Sequence, residues 1–549
     1  MRKAKMSSIF FDKKALKKMH AVIITAIIIV AALAGAVYYS ILTSSTPATP
    51  PTEMKLTYTW STDVVTMDPH TGWSTDTLMI VRVCYERLVR LQGSTMNLEG
   101  ELAKDWSVSA DGLTYTFNLR ENVTFDDGSP FNATAVKKSF DRLIGIGQQS
   151  QNFLALKEIS IVDQNTVKFT LNYAFAPFIN ALATMQASII NINALEKHKT
   201  TDDPWAINWF HDWTNGTGPY MIQEWQKGTS WTMIRNPYYW RGWEGRHFTK
   251  LTGLVTSQAA TARMMLEKGD SDLGGDLVSY LREDIPLMML NPDLRIIQYP
   301  ALSTLYLALN CQKGPCNDVH VRRAVSYAFD YGAALAILLY NGKQSRGPMP
   351  SALLGWSNET MQYMRNTTKA KEELAQSAYP QGGFTLSYLY CAGDEQERRV
   401  GELLQANLRD IDVNVDVEVQ PWATLAETQT NPETAKDIVA LYQFDFAPDP
   451  HFDLYDRFHS SRIPPAGYNW DYYNNTMEDQ LLDDATTEQN VNQRMNLYHQ
   501  AAEILAEEAV AVFVWEETKP VALRATVFGF IPNPCLVETY NFYDMYKVE

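Results

Sequence analysis

Two closely spaced aspartates, Asp270 and Asp272, are the first candidates for chemistry in this sequence. A glycosidase uses such a pair of carboxyl groups, one as the acid and the other as base or nucleophile. However, 63 residues are Asp or Glu, so close pairs are expected from composition alone. The sequence has no His-Glu-x-x-His, no Gly-x-Ser-x-Gly and no phosphate loop ending in Gly-Lys-Ser/Thr. We therefore predict that the protein is not an enzyme, with a secreted glycosidase as a distant alternative.

A second candidate group joins two histidines to nearby aspartates: His451, His459, Asp449, Asp453 and Asp456. Imidazole and carboxylate groups are ligands for transition metals. Their spacing here is not that of a compact metal site, so a solvated acidic loop is the favoured interpretation. We predict no metal and no cofactor.

The five cysteines suggest a structural role for one close pair. Cys311 and Cys316 lie in a stretch of turn composition, residues 310–317. In an oxidising exterior such a pair predicts a small disulfide loop. A pairing of Cys391 with Cys535 is left open.

The amino terminus has the pattern of a membrane-targeting segment. Residues 1–20 are rich in Lys and Arg, and Ala21 to Leu42 carries no charge. At ~1.5 Å per residue this run could cross a ~30 Å bilayer core, and the basic flank would stay inside. Residues 43–53 are rich in Thr and Pro, which predicts an extended stalk. We expect a single-pass cell-membrane protein with its carboxy-terminal module outside, although a signal peptide cleaved near Ala34 or Ala36 is also compatible.

The composition of the remaining module limits its partners. The whole chain has a formal net charge of −16, and because residues 1–20 hold seven basic residues and one acid, the remaining module is more acidic still. Nucleic acid is therefore excluded as a partner, because its binding requires Lys and Arg. About 500 residues exceed what one core can organise, so two or three domains are expected.

Hydrophobic patterns predict a mixture of strands and helices. Residues 54–60 alternate as a strand does, and residues 106–119 read as a hairpin around Asp111-Gly112. Residues 321–339 predict one long helix, and residues 492–507 predict another. The fold class is therefore α/β or α+β.

Short motifs spread along the chain, in a consistent order, resemble those of a known family. They include Thr66-Met67-Asp68-Pro69-His70, Cys84-Tyr85-Glu86-Arg87-Leu88-Val89, Gly216-Thr217-Gly218-Pro219-Tyr220, Arg235-Asn236-Pro237-Tyr238-Tyr239-Trp240 and Val321-Arg322-Arg323-Ala324-Val325. This order resembles the family 5 extracellular solute-binding proteins, the dipeptide/oligopeptide-type receptors of ABC importers. The resemblance covers roughly residues 55–545.

The resemblance implies an α/β, two-lobe periplasmic-binding-protein-like fold of type II with an extra subdomain, behind one amino-terminal transmembrane helix. The ligand would lie between the lobes, which close by bending at a hinge. The implied bounds are 54–300 for lobe I with an inserted subdomain at 97–205, 301–515 for lobe II with the hinge crossings, and 516–549 for the return to lobe I.

The resemblance also implies a position for the ligand's amino group. In relatives that bind peptides, the first aspartate of a Trp-x-x-Asp-x-x-Asp-Pro segment holds this group. The corresponding stretch here is 442–450, and aligning Asp449-Pro450 puts Phe446 at that position. A shift of one residue puts Asp445 there instead, and a carboxylate facing an ammonium group makes a strong charge-assisted bond. Asp445 is therefore the predicted amino anchor.

Aromatic residues in segments that border the cleft of relatives are the other predicted ligand contacts. They are Trp60, Trp73, Tyr306, Trp422, Phe444 and Trp470. Flat rings can stack on peptide side chains or on sugar faces. The predicted ligand is a dipeptide or oligopeptide, with an oligosaccharide as the alternative.

The family resemblance implies partners as well. We expect an ABC permease with its ATPase subunits, and a monomeric receptor. Because the tether lacks a lipidated cysteine, an archaeal cell without an outer membrane is the expected source. Asn-x-Ser/Thr sequons that would permit glycosylation begin at Asn122, Asn132, Asn215, Asn358, Asn366 and Asn474.

Overall fold

The structure is a computed structural model that describes residues 54–276, 281–339, 341–444, 447–536 and 540–548. The predicted basic segment, apolar span and stalk at residues 1–53 lie outside these ranges. Of the helices in the described ranges, none combines the length and apolarity that crossing a membrane requires. Val491–Glu507, for example, has 17 residues and includes Arg494 and Glu503.

Strands run through the described residues from end to end. They are β1 Lys55–Trp60, β2 Val89–Leu91, β3 Leu98–Gly100, β4 Ala103–Val108, β5 Thr114–Leu119, β6 Leu156–Asp163, β7 Thr166–Leu171, β8 Tyr220–Gln226, β9 Ser230–Arg235, β10 Lys250–Val255, β11 Leu273–Gly274, β12 Leu294–Leu309, β13 Gly342–Gln344, β14 Thr385–Cys391, β15 Asn414–Gln420, β16 Ile438–Phe444, β17 Ala511–Arg524, β18 Val527–Phe528 and β19 Tyr546–Lys547.

The helices alternate with these strands. They are α1 Thr75–Cys84, α2 Ala133–Ile146, α3 Phe178–Ala181, α4 Ile192–His198, α5 Ile207–Asp212, α6 Ala259–Lys268, α7 Ile285–Met288, α8 Val319–Ala328, α9 Tyr331–Ile337, α10 Thr367–Leu374, α11 Glu395–Leu408, α12 Trp422–Thr430, α13 His451–Phe458, α14 Thr476–Thr487 and α15 Val491–Glu507.

Two long strands hold the main sheet together. Its order is β15-β14-β16-β12-β17-β11-β1-β10-β9-β8, so β12 and β17 stand in the middle. They have 16 and 14 residues and pair antiparallel along their length. Their register shifts between Pro300 and Thr304, where the pairing is interrupted. A bulge of this kind bends a strand locally, so the two strands can bend where they cross from one half of the sheet to the other.

A separate antiparallel sheet of order β4-β5-β7-β6 has its own core. Its buried residues run from Leu88 to Ile189 and include a cluster of phenylalanines; we call it the small-sheet core. The hairpin predicted at 106–119 is present as β4 and β5. Aromatic rings pack edge to face in this core. The ring centroids of Phe117 and Phe169, for example, lie 5.5 Å apart.

A second core lies behind the middle of the main sheet and extends to the helices that follow it. It includes Tyr306, Leu441, Trp470 and Tyr498, and we call it the cleft core. The small-sheet core and the cleft core share no residue, so each part of the chain is stabilised by its own buried surface.

The helix predicted at 321–339 is divided in two. Helix α8 ends at Ala328, Phe329 is extended, and Asp330 begins α9 by accepting a hydrogen bond from the Ala333 amide. The first amides of a helix lack partners within the helix, and an aspartate at the helix start can accept a hydrogen bond from one of them. Asp330 therefore favours a new helix start inside the stretch that was predicted as one helix.

The loop at Gly216 and Gly218 explains one of the motifs. A Cβ on Gly218 would lie 2.5 Å from the Cys84 carbonyl carbon and 2.6 Å from the Val83 carbonyl oxygen. Only glycine permits this approach of two backbones. The motif therefore seats the loop against the end of α1, and its role is structural.

Candidate ligand-binding cleft

A cavity of about 400 Å³ lies between the small-sheet part of the chain and the cleft core. Both of these parts contribute residues to its walls. The residues that line it are Trp73, Gln151, Asn152, Thr184, Tyr306, Trp422, Leu441, Tyr442, Ala447, Phe452, Asp456, Arg457, Tyr468 and Trp470. Half of these residues are aromatic and five are polar or charged. A concave space that combines apolar rings with a small number of polar groups is typical of small-molecule sites.

Two tryptophans form one wall of the cavity. The rings of Trp422 and Trp470 lie 5.8 Å apart and are tilted by 38°. Trp422 is the first residue of α12 and is 57% exposed, whereas Trp470 is 5% exposed. Within the described residues, the Trp470 Nε1 group has no hydrogen-bond partner. A buried donor without a partner is costly, so this N–H can stabilise a ligand oxygen.

Tyr306 and Arg457 approach each other on a neighbouring wall. Arg457 Nη1 donates a hydrogen bond of 3.3 Å to the Tyr306 hydroxyl. Burial raises the pKa of Tyr306 to about 12, and Arg457 partly opposes this rise. The Tyr306 hydroxyl is therefore protonated and uncharged at neutral pH.

Asp456 brings a negative charge to the cavity. Arg462 Nη2 donates to Asp456 Oδ1 at 2.6 Å. Burial raises the pKa of Asp456, while Arg462 lowers it. Both Asp456 and Arg457 belong to α13, so one helix presents an acid and a base to the ligand space.

The structure brings four of the predicted contacts together at this cavity: Trp73, Tyr306, Trp422 and Trp470. Trp60 does not line it, because its ring lies in the core at 6.4 Å from that of Tyr58. Phe444 ends β16 opposite Ser303, and its side chain lies outside the described part. Asp445 also lies outside the described residues, so its predicted contact with an amino group remains a prediction.

Several lining residues were not predicted: Gln151, Asn152, Thr184, Phe452, Asp456, Arg457 and Tyr468. They come from turns and helix ends that tertiary packing alone brings to the cavity. One signal was available for α13. The Asp449-Pro450 pair marks a helix start, and a helix entering at a cleft would place Phe452, Asp456 and Arg457 on adjacent turns.

The predicted disulfide between Cys311 and Cys316 is not formed in the structure, where both are free thiols. Cys316 is buried with the core residues around Val321, whereas Cys311 packs against the cleft core. The Cys311 thiol donates a hydrogen bond to the Leu309 carbonyl at 3.2 Å instead. Cys391 is likewise a free thiol.

The two histidines of the acidic stretch stack on a tyrosine. The rings of His451 and His459 lie 4.8 and 4.2 Å from that of Tyr455. Burial lowers the pKa of His451 to about 3, so it is neutral at physiological pH. Within the described ranges, no group of three or more His, Cys, Asp or Glu side chains is arranged to hold a metal ion.

A cavity between two parts of a chain that long strands connect is typical of solute-binding receptors, which close around their ligand by bending at a hinge. The chain belongs to the bacterial extracellular solute-binding proteins of family 5, whose model matches residues 97–464. This is a family of binding receptors rather than of enzymes.

Curated relatives support this membership over most of the chain. The probable D,D-dipeptide-binding periplasmic protein DdpA of Escherichia coli is 33% identical over 499 residues, which are 88% of this chain and 93% of that protein. Heme-binding protein A of Haemophilus influenzae is 28% identical over 82% of this chain and 84% of that protein.

Solved structures share the fold. HbpA2 from Haemophilus parasuis has a TM-score of 0.81 at 26% identity, covering 90% of this chain and 100% of that one. A dipeptide-binding protein from Pseudoalteromonas sp. SM9913, solved with Met-Leu, has a TM-score of 0.74 at 23% identity, with 90% and 100% covered. The predicted mixed α/β two-lobe fold is therefore confirmed.

The predicted single-pass membrane localisation is corrected by these findings. DdpA is named as a periplasmic protein, and no helix in the described ranges is long and apolar enough to cross a membrane. The prediction rested on the apolar run at 21–42, which lies outside those ranges. The relatives named here are bacterial, and they support neither an archaeal tethered form nor glycosylation.

Proposed function

We propose that this protein is the substrate-binding receptor of an ABC importer and captures short peptides in the cavity between its lobes. The observation that carries the proposal is the aromatic cavity of about 400 Å³ with one acidic and one basic residue in its wall. Peptides have apolar side chains, backbone carbonyls and opposite charges at their ends. The cavity offers a complement to each.

The aromatic wall would hold a side chain of the ligand. Trp422 and Trp470 lie on one side, and Trp73 reaches the cavity from the other part of the chain. The Trp470 N–H would donate to a peptide carbonyl, and Arg457 would attract the terminal carboxylate. Asp445 as partner of the α-amino group is part of this proposal.

The size of the cavity favours a short ligand. Its volume lies near the lower end of the ~300–1,000 Å³ that ligand sites span. A dipeptide or tripeptide is favoured over a long peptide on this ground. DdpA is named as binding D,D-dipeptides, and a second set of relatives, GsiB of Salmonella typhimurium among them, as binding glutathione.

The domain bounds are part of the proposal. Lobe I would take residues 54–300, with the small-sheet part at 97–205 as its inserted subdomain, and lobe II would take 301–515. Residues 516–549 would return to lobe I, where β18 and β19 form a two-stranded sheet. Closure of the lobes by bending of β12 and β17 would present a ligand-dependent surface to the permease.

Isothermal titration calorimetry of the purified protein against dipeptides, tripeptides, longer peptides and oligosaccharides tests the proposed function. We expect at least one dipeptide or tripeptide to bind with a Kd of about 1 μM or lower, and longer peptides to bind less tightly. Binding of saccharides alone, or of no peptide at all, would contradict the proposal.

An oligosaccharide is the second candidate ligand. The tilted pair of Trp422 and Trp470 could stack on sugar rings as well as on side chains. The charged pair on α13 favours peptides, because neutral sugars gain little from a nearby guanidinium.

A further inference from the structure

Asp449 is a buried acid that takes no part in lining the cavity. Its side chain is 1% exposed. Oδ2 accepts a hydrogen bond of 2.5 Å from Asn180 Nδ2 and lies 3.0 Å from Arg494 Nη2. Oδ1 accepts from the His451 amide at 3.0 Å. Burial raises the pKa of Asp449, and the contacts with Arg494, the His451 amide and Asn180 each oppose this rise.

The partners of Asp449 come from different parts of the chain. Asn180 belongs to α3, which packs on the small-sheet core, whereas Arg494 lies on α15, beside the cleft core. The hydrogen bond from Asn180 therefore joins two bodies that have separate cores. The ion pair with Arg494 stays within one of them.

Further contacts follow the same boundary. The Ala176 amide donates to the Thr486 carbonyl at 2.8 Å, and the ring of Phe175 meets that of His451 at 5.0 Å. Phe452, which lines the cavity, also packs against the small-sheet core. These contacts define one interface beside the cavity, with Asp449 at its polar centre.

The interface is connected to the cavity on both sides. Thr184 lines the cavity four residues after Asn180, and Ala447 lines it two residues before Asp449. The pairing of Asn180 with Asp449 therefore fixes how closely the two walls approach. If the walls separated, Asp449 would keep Arg494 and lose the Asn180 donor.

We propose that Asp449 is a positioning residue for closure, and that its hydrogen bond with Asn180 is made when the lobes close and holds them around the ligand. This inference rests on the proposed two-lobe receptor function. Asp449 does not touch the ligand. It acts by slowing the opening of the cavity, so its effect is on ligand release rather than on the affinity of the open form.

Stopped-flow measurement of peptide binding to Asn180→Ala tests this role. Loss of a hydrogen bond to a charged group should raise koff about tenfold, while kon stays within about twofold of the wild type. Asn118→Ala is a control at an exposed site, because Asn118 Nδ2 also donates to an aspartate, Asp105, at 2.5 Å, but within one small sheet. The control should leave both rates unchanged.

Exchanging the side chains at positions 180 and 449 tests whether the effect of Asn180→Ala comes from lobe closure or from lower folding stability. Asn180→Asp should raise koff further, because two carboxylates would then face each other. Combining it with Asp449→Asn restores a donor and an acceptor across the interface but removes the carboxylate that pairs with Arg494, so koff should return only part of the way toward that of the wild type. A koff that is the same in Asn180→Ala and the wild type would overturn the inference.

Small-angle X-ray scattering without ligand gives a readout that does not depend on the identity of the ligand. In this proposal the lobes also close part of the time without ligand, and the Asn180–Asp449 bond favours that closed form. We therefore expect a larger average radius of gyration for Asn180→Ala than for the wild type, and no change for Asn118→Ala. Equal radii for Asn180→Ala and the wild type would overturn the inference even if no peptide bound. Failure of all peptides to bind the wild type would contradict only the proposed function.

Discussion

At the scale of single residues, the cavity is built from rings whose positions the sequence only partly indicates. Trp73, Tyr306, Trp422 and Trp470 line it, and all four were predicted from the segments in which they fall. Trp60 was predicted on the same ground, but its ring is buried against Tyr58 in the main sheet. Successive residues of a strand face opposite sides, and the sequence does not say which side is the cavity.

Trp422 offers the cleanest test of the aromatic wall. Because Trp422 is 57% exposed, Trp422→Ala should cost little folding stability. Loss of its stacking on the ligand should weaken binding about tenfold, which calorimetry would measure. Trp213→Ala is the control, since Trp213 is 46% exposed and does not line this cavity. Equal loss of affinity in both variants would argue against a specific contact.

At the scale of elements, the sequence predicts hairpins and helix starts better than helix lengths. The hairpin at β4 and β5 follows from Asp111-Gly112 between two alternating runs. The helix predicted at 321–339 is instead divided at Asp330, where a local cap competes with an apolar pattern that continues. Helix α13 was not predicted, although Asp449-Pro450 signals a helix start. Its place at the cavity depends on packing against residues far away in the chain.

Helix α11 carries a buried acid that should make stability depend on pH. Burial raises the pKa of Glu397 from 4.5 to about 8, although the Cys391 amide, which donates to Oε2 at 2.8 Å, lowers it. Between pH 4.5 and 8 the unfolded chain has released this proton and the folded chain retains it. The contribution of Glu397 to the free energy of unfolding is therefore fully present below about pH 4.5, and it is lost as the pH rises to about 8.

Glu397→Gln should remove this part of the pH dependence. Between pH 5 and 8, the free energy of unfolding in urea should fall more for the wild type than for the variant. Glu395→Gln is the control on the same helix, because its exposed carboxyl group has a pKa lowered by Arg398 and titrates below this range. The same decline in the wild type and Glu397→Gln would show that Glu397 is ionised in the folded protein.

At the scale of the whole molecule, the family could be recognised because its motifs keep their order along nearly the entire chain. The hinge crossings between the lobes were implied by the family resemblance alone. Strands β12 and β17 are separated by about 200 residues, yet they pair side by side in the middle of the main sheet. No local pattern encodes such a pairing. The identity of the ligand could not be predicted from the motifs either, because they specify turns and close packing, as at Gly218, rather than the residues of the cavity wall.

The central claim is that the cavity holds a short peptide. The most direct measurement is mass spectrometry of the small molecules that denaturation releases from the purified protein, since a receptor that closes around its ligand can retain it. We predict peptides of two or three residues in the released fraction, absent from a sample of the undenatured flow-through. Release of hexose oligomers without peptides would contradict the account.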